Sequence, residues 1–206
     1  MTIQPFLKKS TTLLLGSMVL ISTALAGTPD AKTVKEVENY LNGLKSYRAT
    51  IHQTTDTGEK RTGNIYMLRD GQKTYGKLRI EYAPPVEDLF VVDGESCKFY
   101  DHQAKEVQNF NVADTPASFL LARHIDLKGD LKVIDQKTPS DGALHLKIVK
   151  SGDESGSFLT LKFSQTPFLK MNGWSIKDPQ GITQEIQLED VNIGIPLDAN
   201  LFRFKK

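Results

Sequence analysis

Gly76-Lys77-Leu78-Arg79-Ile80-Glu81-Tyr82 is the stretch that decides the fold class. Leu78, Ile80 and Tyr82 alternate with Lys77, Arg79 and Glu81, the period of two that belongs to a strand with one buried face. The same rhythm recurs along the chain. Ile65 and Met67 alternate, less cleanly, with Tyr66 and Leu68; Leu144, Leu146 and Ile148 alternate with His145 and Lys147; Leu159, Leu161 and Phe163 alternate with Thr160 and Lys162. Ile182, Ile186 and Leu188 share a face opposite Thr183, Glu185, Gln187 and Glu189. Near Gly173 the apolar parity passes from Leu169 and Met171 to Trp174 and Ile176, which predicts a β-bulge. Turn signals at Asp70-Gly71, Asp93-Gly94, Asp141-Gly142 and Asp178-Pro179-Gln180-Gly181 separate these runs, and Gly152–Ser157 reads as an exposed hairpin loop. Strands joined by such short connections are antiparallel, because parallel neighbours need a long crossover.

Two segments keep a different period. Val34, Val37, Leu41 and Leu44 fall at helical spacing behind Thr33-Val34-Lys35-Glu36, a capping box, which predicts a helix over 31–45. Lys35, Glu36 and Glu38 lie off that stripe and read as its solvated face. Thr115-Pro116-Ala117-Ser118-Phe119-Leu120-Leu121-Ala122-Arg123 places a hydroxyl before a proline at a first helical position, so a brief helix interrupts the β sections. The expected fold is mainly β (α+β): a single-domain, unclosed antiparallel β-barrel or strongly curved sheet. Its apolar concave face needs a cover, and the two helices are the available one.

The chain has 206 residues, 39% hydrophobic and 25% charged, ordinary values for a globular protein. Residues 1–26 read as a secretory leader: Lys8 and Lys9, an uncharged stretch from Ser10 to Leu25, then Ala24-Leu25-Ala26 before the cut. The alternative is a membrane anchor, but the apolar centre at Leu13–Ile21 is shorter than the ~20 residues that span a bilayer. Cleavage after Ala26 leaves 27–206 as the working domain, with no cysteine at the cut to carry a lipid anchor. It also removes two lysines and no acid, so the formal charge passes from +1 to −1. A chain this close to neutrality gives no electrostatic case for nucleic acid.

Catalytic chemistry has little to build on. There is no G-x-S-x-G elbow (Gly152 to Gly156 has serine at the wrong offset), no H-E-x-x-H, no P-loop and no dinucleotide fingerprint. His52, His102, His124 and His145 are scattered singly, and no metal or cofactor is expected. Asp101-His102 could pair, or simply occupy a solvated turn. Cys97, the sole cysteine, shares the parity of Phe99 and reads as a small buried hydrophobe rather than a reactive thiol. Arg69 stays open on periodicity alone. It ends the run Ile65, Met67, Arg69 on an apolar parity, so it either turns into solvent with Asp70 or faces the concave side. In the second case its five donors need partners, and carbonyls at the C-terminal end of the 115–123 helix would serve.

Gly63-Asn64-Ile65-Tyr66-Met67-Leu68-Arg69, Gly76–Tyr82 leading to Pro84-Pro85, and Val92-Asp93-Gly94 with Phe99-Tyr100 together resemble the opening strands of the periplasmic lipoprotein carrier family LolA. The Thr115–Arg123 segment resembles that family's lid helix, and Trp174 and the ending Phe202-Arg203-Phe204 fit its C-terminal strands. The resemblance covers the mature chain through an ordered set of motifs. It implies a non-enzymatic periplasmic chaperone, expected as a monomer. Such a carrier takes lipoproteins by their acyl chains from an inner-membrane ABC lipoprotein-release complex and delivers them to an outer-membrane acceptor. It implies that Arg69 latches the lid, that Phe119, Leu120 and Leu121 form the lid, and that Ile65, Met67, Leu78, Ile80 and Tyr82 line the acyl-chain site. Two departures stand out: Asp70 replaces the proline that usually follows the arginine, and Lys98 stands where the family often has an aromatic, which weakens that strand as a pocket wall. The alternatives are a lipid-sensing envelope stress or interaction module, or a carrier of another lipid, on the same scaffold. The sensors usually carry an additional domain, whereas this chain ends soon after its last strand.

Overall fold

The computed structural model describes residues 27–205 apart from positions 70 and 72; the expected leader, 1–26, lies outside the described residues. Helix α1 (Ala31–Gly43) precedes strands β1 (Ser46–Thr55), β2 (Lys60–Leu68), β3 (Lys77–Tyr82), β4 (Leu89–Val92), β5 (Ser96–Asp101) and β6 (Glu106–Asn111). A 3-10 turn (Val112–Asp114) and helix α2 (Ala117–Leu121) follow. The chain then continues through β7 (Leu131–Lys137), β8 (Leu144–Lys150), β9 (Phe158–Ser164), β10 (Lys170–Lys177) and β11 (Thr183–Ile193).

All eleven strands form one antiparallel sheet in the order β6-β5-β4-β3-β2-β1-β11-β10-β9-β8-β7. The two meanders, β1–β6 and β7–β11, are joined by β1 pairing with β11, Ile51 opposite Leu188. β6 and β7 are the free edges, so the barrel is not closed. The sheet is nevertheless strongly curved. β5 and β9 stand seven positions apart in that order, about 34 Å along a flat sheet at ~4.8 Å per strand. Phe99 of β5 and Leu159 of β9 nonetheless line one cavity.

Register explains what faces inward. Met67 lies opposite Leu78 and Tyr47, Ile65 opposite Ile80 and Ala49, and Ile80 opposite Phe90, so one apolar parity runs unbroken across β1 to β4. On the other meander the bulge expected near Gly173 falls between Met171 and Gly173. The extra residue lets Met171 and Trp174 both turn inward despite their odd separation, and both are buried. A side chain at 173 could not be accommodated, since a Cβ would lie 2.3 Å from the Ile186 carbonyl oxygen.

Helix α1 lays Val34, Val37 and Leu41 on the concave face, with Leu44 buried just beyond its end, matching the spacing. Two details differ from the sequence reading. The N-cap is Asp30, whose carboxylate accepts from the Thr33 amide at 2.8 Å and its hydroxyl at 2.7 Å, so Thr33 lies inside the helix. Glu38 is not solvated: it is 7% exposed, accepts from the Leu127 amide at 3.0 Å and meets Lys35 Nζ at 2.6 Å. Those two donors hold its carboxyl below the usual range. On the opposite face of the sheet, the 3-10 turn Ala199–Phe202 packs on β3, where Arg79 Nη1 donates to the Leu201 carbonyl at 3.2 Å.

Candidate functional site

Under α2 the curved sheet encloses an apolar cavity of about 190 Å³. β2 and β3 supply Ile65, Leu78, Ile80 and Tyr82, and α2 contributes Phe119 and Leu120 to its roof. Four of the five residues read as lining from sequence are therefore brought together. Met67 is not: it is 3% exposed and packs into the core away from the cavity. Leu121 also points elsewhere, lining a separate small cleft with Arg69. The remaining wall comes from residues the alternation did not single out: Phe90 and Phe99 on one side, Leu159, Leu161, Trp174, Ile176 and Ile186 on the other. Phe99 also corrects the doubt over its strand. Lys98 points to the opposite face, with its Nζ 5.5 Å from the Phe204 ring centroid, so β5 does form wall.

The roof is short and held mainly by main chain. A five-residue helix has no stability of its own in water. Its C-terminal end is tied to the approach to β3: Gly76 N donates to the Leu121 carbonyl at 2.7 Å and Arg123 N to Thr74 O at 3.1 Å, with Tyr75 bridging Ala122. Gly76 is required at this crossing, because a Cβ there would lie 2.7 Å from Arg69 Cγ and 2.8 Å from Leu68 O.

Arg69 faces inward and is 6% exposed. Its hydrogen bond differs from the expected one: Nη1 donates to the Leu41 carbonyl at 2.7 Å, in the last turn of α1 rather than of α2. The Leu121 carbonyl is occupied by Gly76 instead. Arg69 therefore joins the end of β2 to one helix while its stem lies beneath the attachment of the other. Its Nε–H finds no acceptor among the described residues, and burial lowers the guanidinium's affinity for its proton. Position 70, where the family's proline is replaced, lies outside the described residues.

Three hydrogen-bonded polar side chains interrupt the apolar wall. Tyr82 donates its hydroxyl hydrogen to Gln53 Oε1, and Gln53 Nε2 donates to Gln184 Oε1 at 3.1 Å. Burial pushes the Tyr82 hydroxyl up to about 12, so it remains a donor at neutral pH. Both glutamines stand on the inward parity of their strands, Gln53 after Ile51 and Gln184 before Ile186. That apolar parity with a polar member was the available sequence signal.

Cys97, Asp101 and His102 are not among the residues that line the cavity. Cys97 is fully buried, and its thiol is pushed up to about 11 by burial and by Asp93. Asp101 and His102 do not pair; Asp101 accepts from the Ala104 amide and His102 Nε2 lies 3.2 Å from Glu87. Among the described residues no three His, Cys, Asp or Glu side chains are grouped to hold a metal ion, and no helix is long and apolar enough to cross a membrane.

An unclosed antiparallel barrel with an apolar, helix-roofed interior is a scaffold for binding lipid. Residues 42–205 match the family model described as outer membrane lipoprotein carrier protein LolA, and the chain belongs to that family. Among relatives named outer-membrane lipoprotein carrier protein, that of Methylococcus capsulatus is 25% identical over 194 residues, covering 90% of this chain and 89% of its own. That of Legionella pneumophila (strain Paris) is 28% identical over 184 residues, covering 85% and 87%. Similar solved structures include the MucA/MucB complex of Pseudomonas aeruginosa (TM-score 0.49, 14% identity, 86% of this chain). This chain spans 62% of the matched chain there. Another is a LolA superfamily protein from Nitrosomonas europaea (TM-score 0.41, 10% identity, 82% of this chain and 97% of that one).

Proposed function

We propose that this protein is a periplasmic lipoprotein chaperone. It is exported by a leader removed after Ala26, takes lipoproteins by their acyl chains from an inner-membrane ABC release complex, and passes them to an outer-membrane acceptor. The observation that carries this reading is the roofed apolar cavity, framed by Ile65, Leu78, Ile80 and Tyr82 below and by Phe119 and Leu120 above.

Physical chemistry sets the task. Each methylene left in water costs about 0.8 kcal/mol, so one ~16-carbon chain amounts to roughly 12 kcal/mol. A lipoprotein with three chains needs a shield to cross an aqueous space. The cavity is smaller than the ~300–1,000 Å³ usual for small-molecule sites, so loading requires the roof to move. Closure after release returns Phe119 and Leu120 to an apolar surface, which offsets part of the burial lost with the cargo. Arg69 and the Gly76–Leu121 bond set the balance between closed and open forms, and a few kcal/mol is enough to tune it. The work is binding and release, without catalysis.

Purified residues 27–206, added to spheroplasts containing radiolabelled lipoprotein, should release it into the supernatant as a soluble complex. Lipoprotein that stays membrane-bound, while an authentic carrier releases it, would overturn the proposal.

A further inference from the structure

The wall of an acyl-chain cavity has no need of amides, yet this one contains two. Gln53 is 8% exposed, and burying an amide among apolar side chains is costly unless it is hydrogen-bonded. A leucine in its place would complete the wall at no such cost. The three polar groups come from separate strands, β1, β3 and β11, all line the cavity, and are joined by hydrogen bonds. In the structure the hydrogen bonds run one way, from Tyr82 through Gln53 to Gln184. The Tyr82 hydroxyl can give only one hydrogen, and it goes to Gln53 Oε1. Gln53 must then present its nitrogen to Gln184, whose oxygen accepts it. This orients the Gln184 amide so that its NH₂ group is the free end of the relay. Gln184 is the exposed member of the three and Gln53 the buried one, so the relay runs from the interior to the rim.

We propose that Gln53, Tyr82 and Gln184 form a polar subsite at the cavity mouth that reads a hydrogen-bond acceptor at the head of the acyl chain, an ester or amide carbonyl. The subsite rests on the acyl-carrier reading above and adds the ligand's orientation: hydrocarbon inward against Ile65, Leu78 and Trp174, carbonyl outward against the Gln184 amide. A relay ending in N–H donors favours acceptors and offers nothing to a bare methyl terminus. The chain should therefore enter tail first. The residues that orient Gln184 act through it: Gln53 holds the amide and Tyr82 holds Gln53.

The test uses purified residues 27–206 and displacement of a fluorescent hydrophobic probe by two ligands of equal chain length, methyl laurate and dodecyl methyl ether. Only the first has a carbonyl. One hydrogen bond to a neutral acceptor corresponds to a preference of roughly 3–10-fold for the ester. Gln184→Met, at an exposed position, should abolish that preference, so that ester and ether displace the probe with equal affinity. Tyr82→Phe should reduce the preference partially, because the Gln53 amide is then free to turn. If neither ligand displaces the probe from wild-type protein, the acyl-carrier reading fails and the subsite with it. If both displace it equally, in wild type and Gln184→Met alike, the carrier reading stands and the subsite is refuted.

Discussion

Replacing Arg69 by leucine removes one defined contact, and its consequence for binding can be worked out. The guanidinium Nη1 donates to the Leu41 carbonyl at 2.7 Å in a buried setting, a charge-assisted bond of roughly 1.5–3 kcal/mol. Two features place the net effect at the lower end. The Leu41 carbonyl keeps a second donor, the Leu44 amide at 3.3 Å, so it is not orphaned. The desolvated guanidinium also leaves its Nε–H without an acceptor among the described residues, a cost that leucine removes. Where opening parts α1 from the end of β2, so that this bond exists only in the closed form, a loss of about 1.4 kcal/mol shifts the closed-to-open balance about tenfold. Because apparent affinity scales with the fraction of binding-competent protein, Arg69→Leu should bind a fluorescent acyl probe up to about tenfold more tightly. It should also hand lipoprotein on more slowly. The assay is probe titration beside a donor-to-acceptor transfer time course, with a melting curve to establish that the variant is folded. A folded Arg69→Leu protein with wild-type affinity and wild-type transfer would refute the argument that Arg69 maintains the closed form.

Three further outcomes follow from the same contacts. Gly76→Ala sets a Cβ 2.8 Å from the Leu68 carbonyl, backbone that cannot give way, and overpacking of this kind costs roughly 1–3 kcal/mol. Its melting temperature should fall by about 5 °C, and an unchanged melt would contradict the close crossing. Glu38 has a folded pKa below its ordinary value of 4.5, so its contribution is present above that pH and is lost as pH falls through the lowered folded value. Denaturant titrations should show wild type losing stability over that acid range more steeply than Glu38→Gln; parallel curves would return Glu38 to the solvated face. Cys97, fully buried with its thiol pushed up to about 11, should react with a thiol reagent at pH 8 at least roughly 100-fold more slowly in native than in denatured protein, from the thiolate fraction alone. Rapid native labelling would mean that the wall around β5 opens readily.

How much of this was legible in the sequence depended on how far each feature is local. The alternation in Leu78-Arg79-Ile80-Glu81-Tyr82, the parity shift at Gly173 and the helical stripe from Val34 to Leu44 are local patterns, and each corresponds to an element of the structure. β6 is exposed at every position, so it presents no pattern to read. β1 was equally hard to see, because its inward residues Tyr47, Ala49, Ile51 and Gln53 mix large, small and polar side chains. In the site, the strands that could be read contributed Ile65, Leu78, Ile80 and Tyr82, but alternation cannot say how far along a strand the cavity extends. Met67 has the right parity but is packed in the core cluster without lining the cavity. The acceptor for Arg69 and the burial of Glu38 are set by contacts across the fold, Leu41 lying 28 residues away and Leu127 lying 89. Lys98 was misleading for a simpler reason: its neighbour Phe99 holds the inward position.

The central claim is that the roofed cavity carries lipoprotein acyl chains, and the most direct measurement is mass spectrometry of what copurifies with the protein from its native envelope under mild conditions. Acylated lipoprotein should copurify, in a defined ratio to the carrier. Recovery would fall as the cavity is filled by Leu78→Trp, where the native side chain is 3% exposed and lines the wall. A preparation holding a glycolipid or another free lipid and no lipoprotein would contradict it.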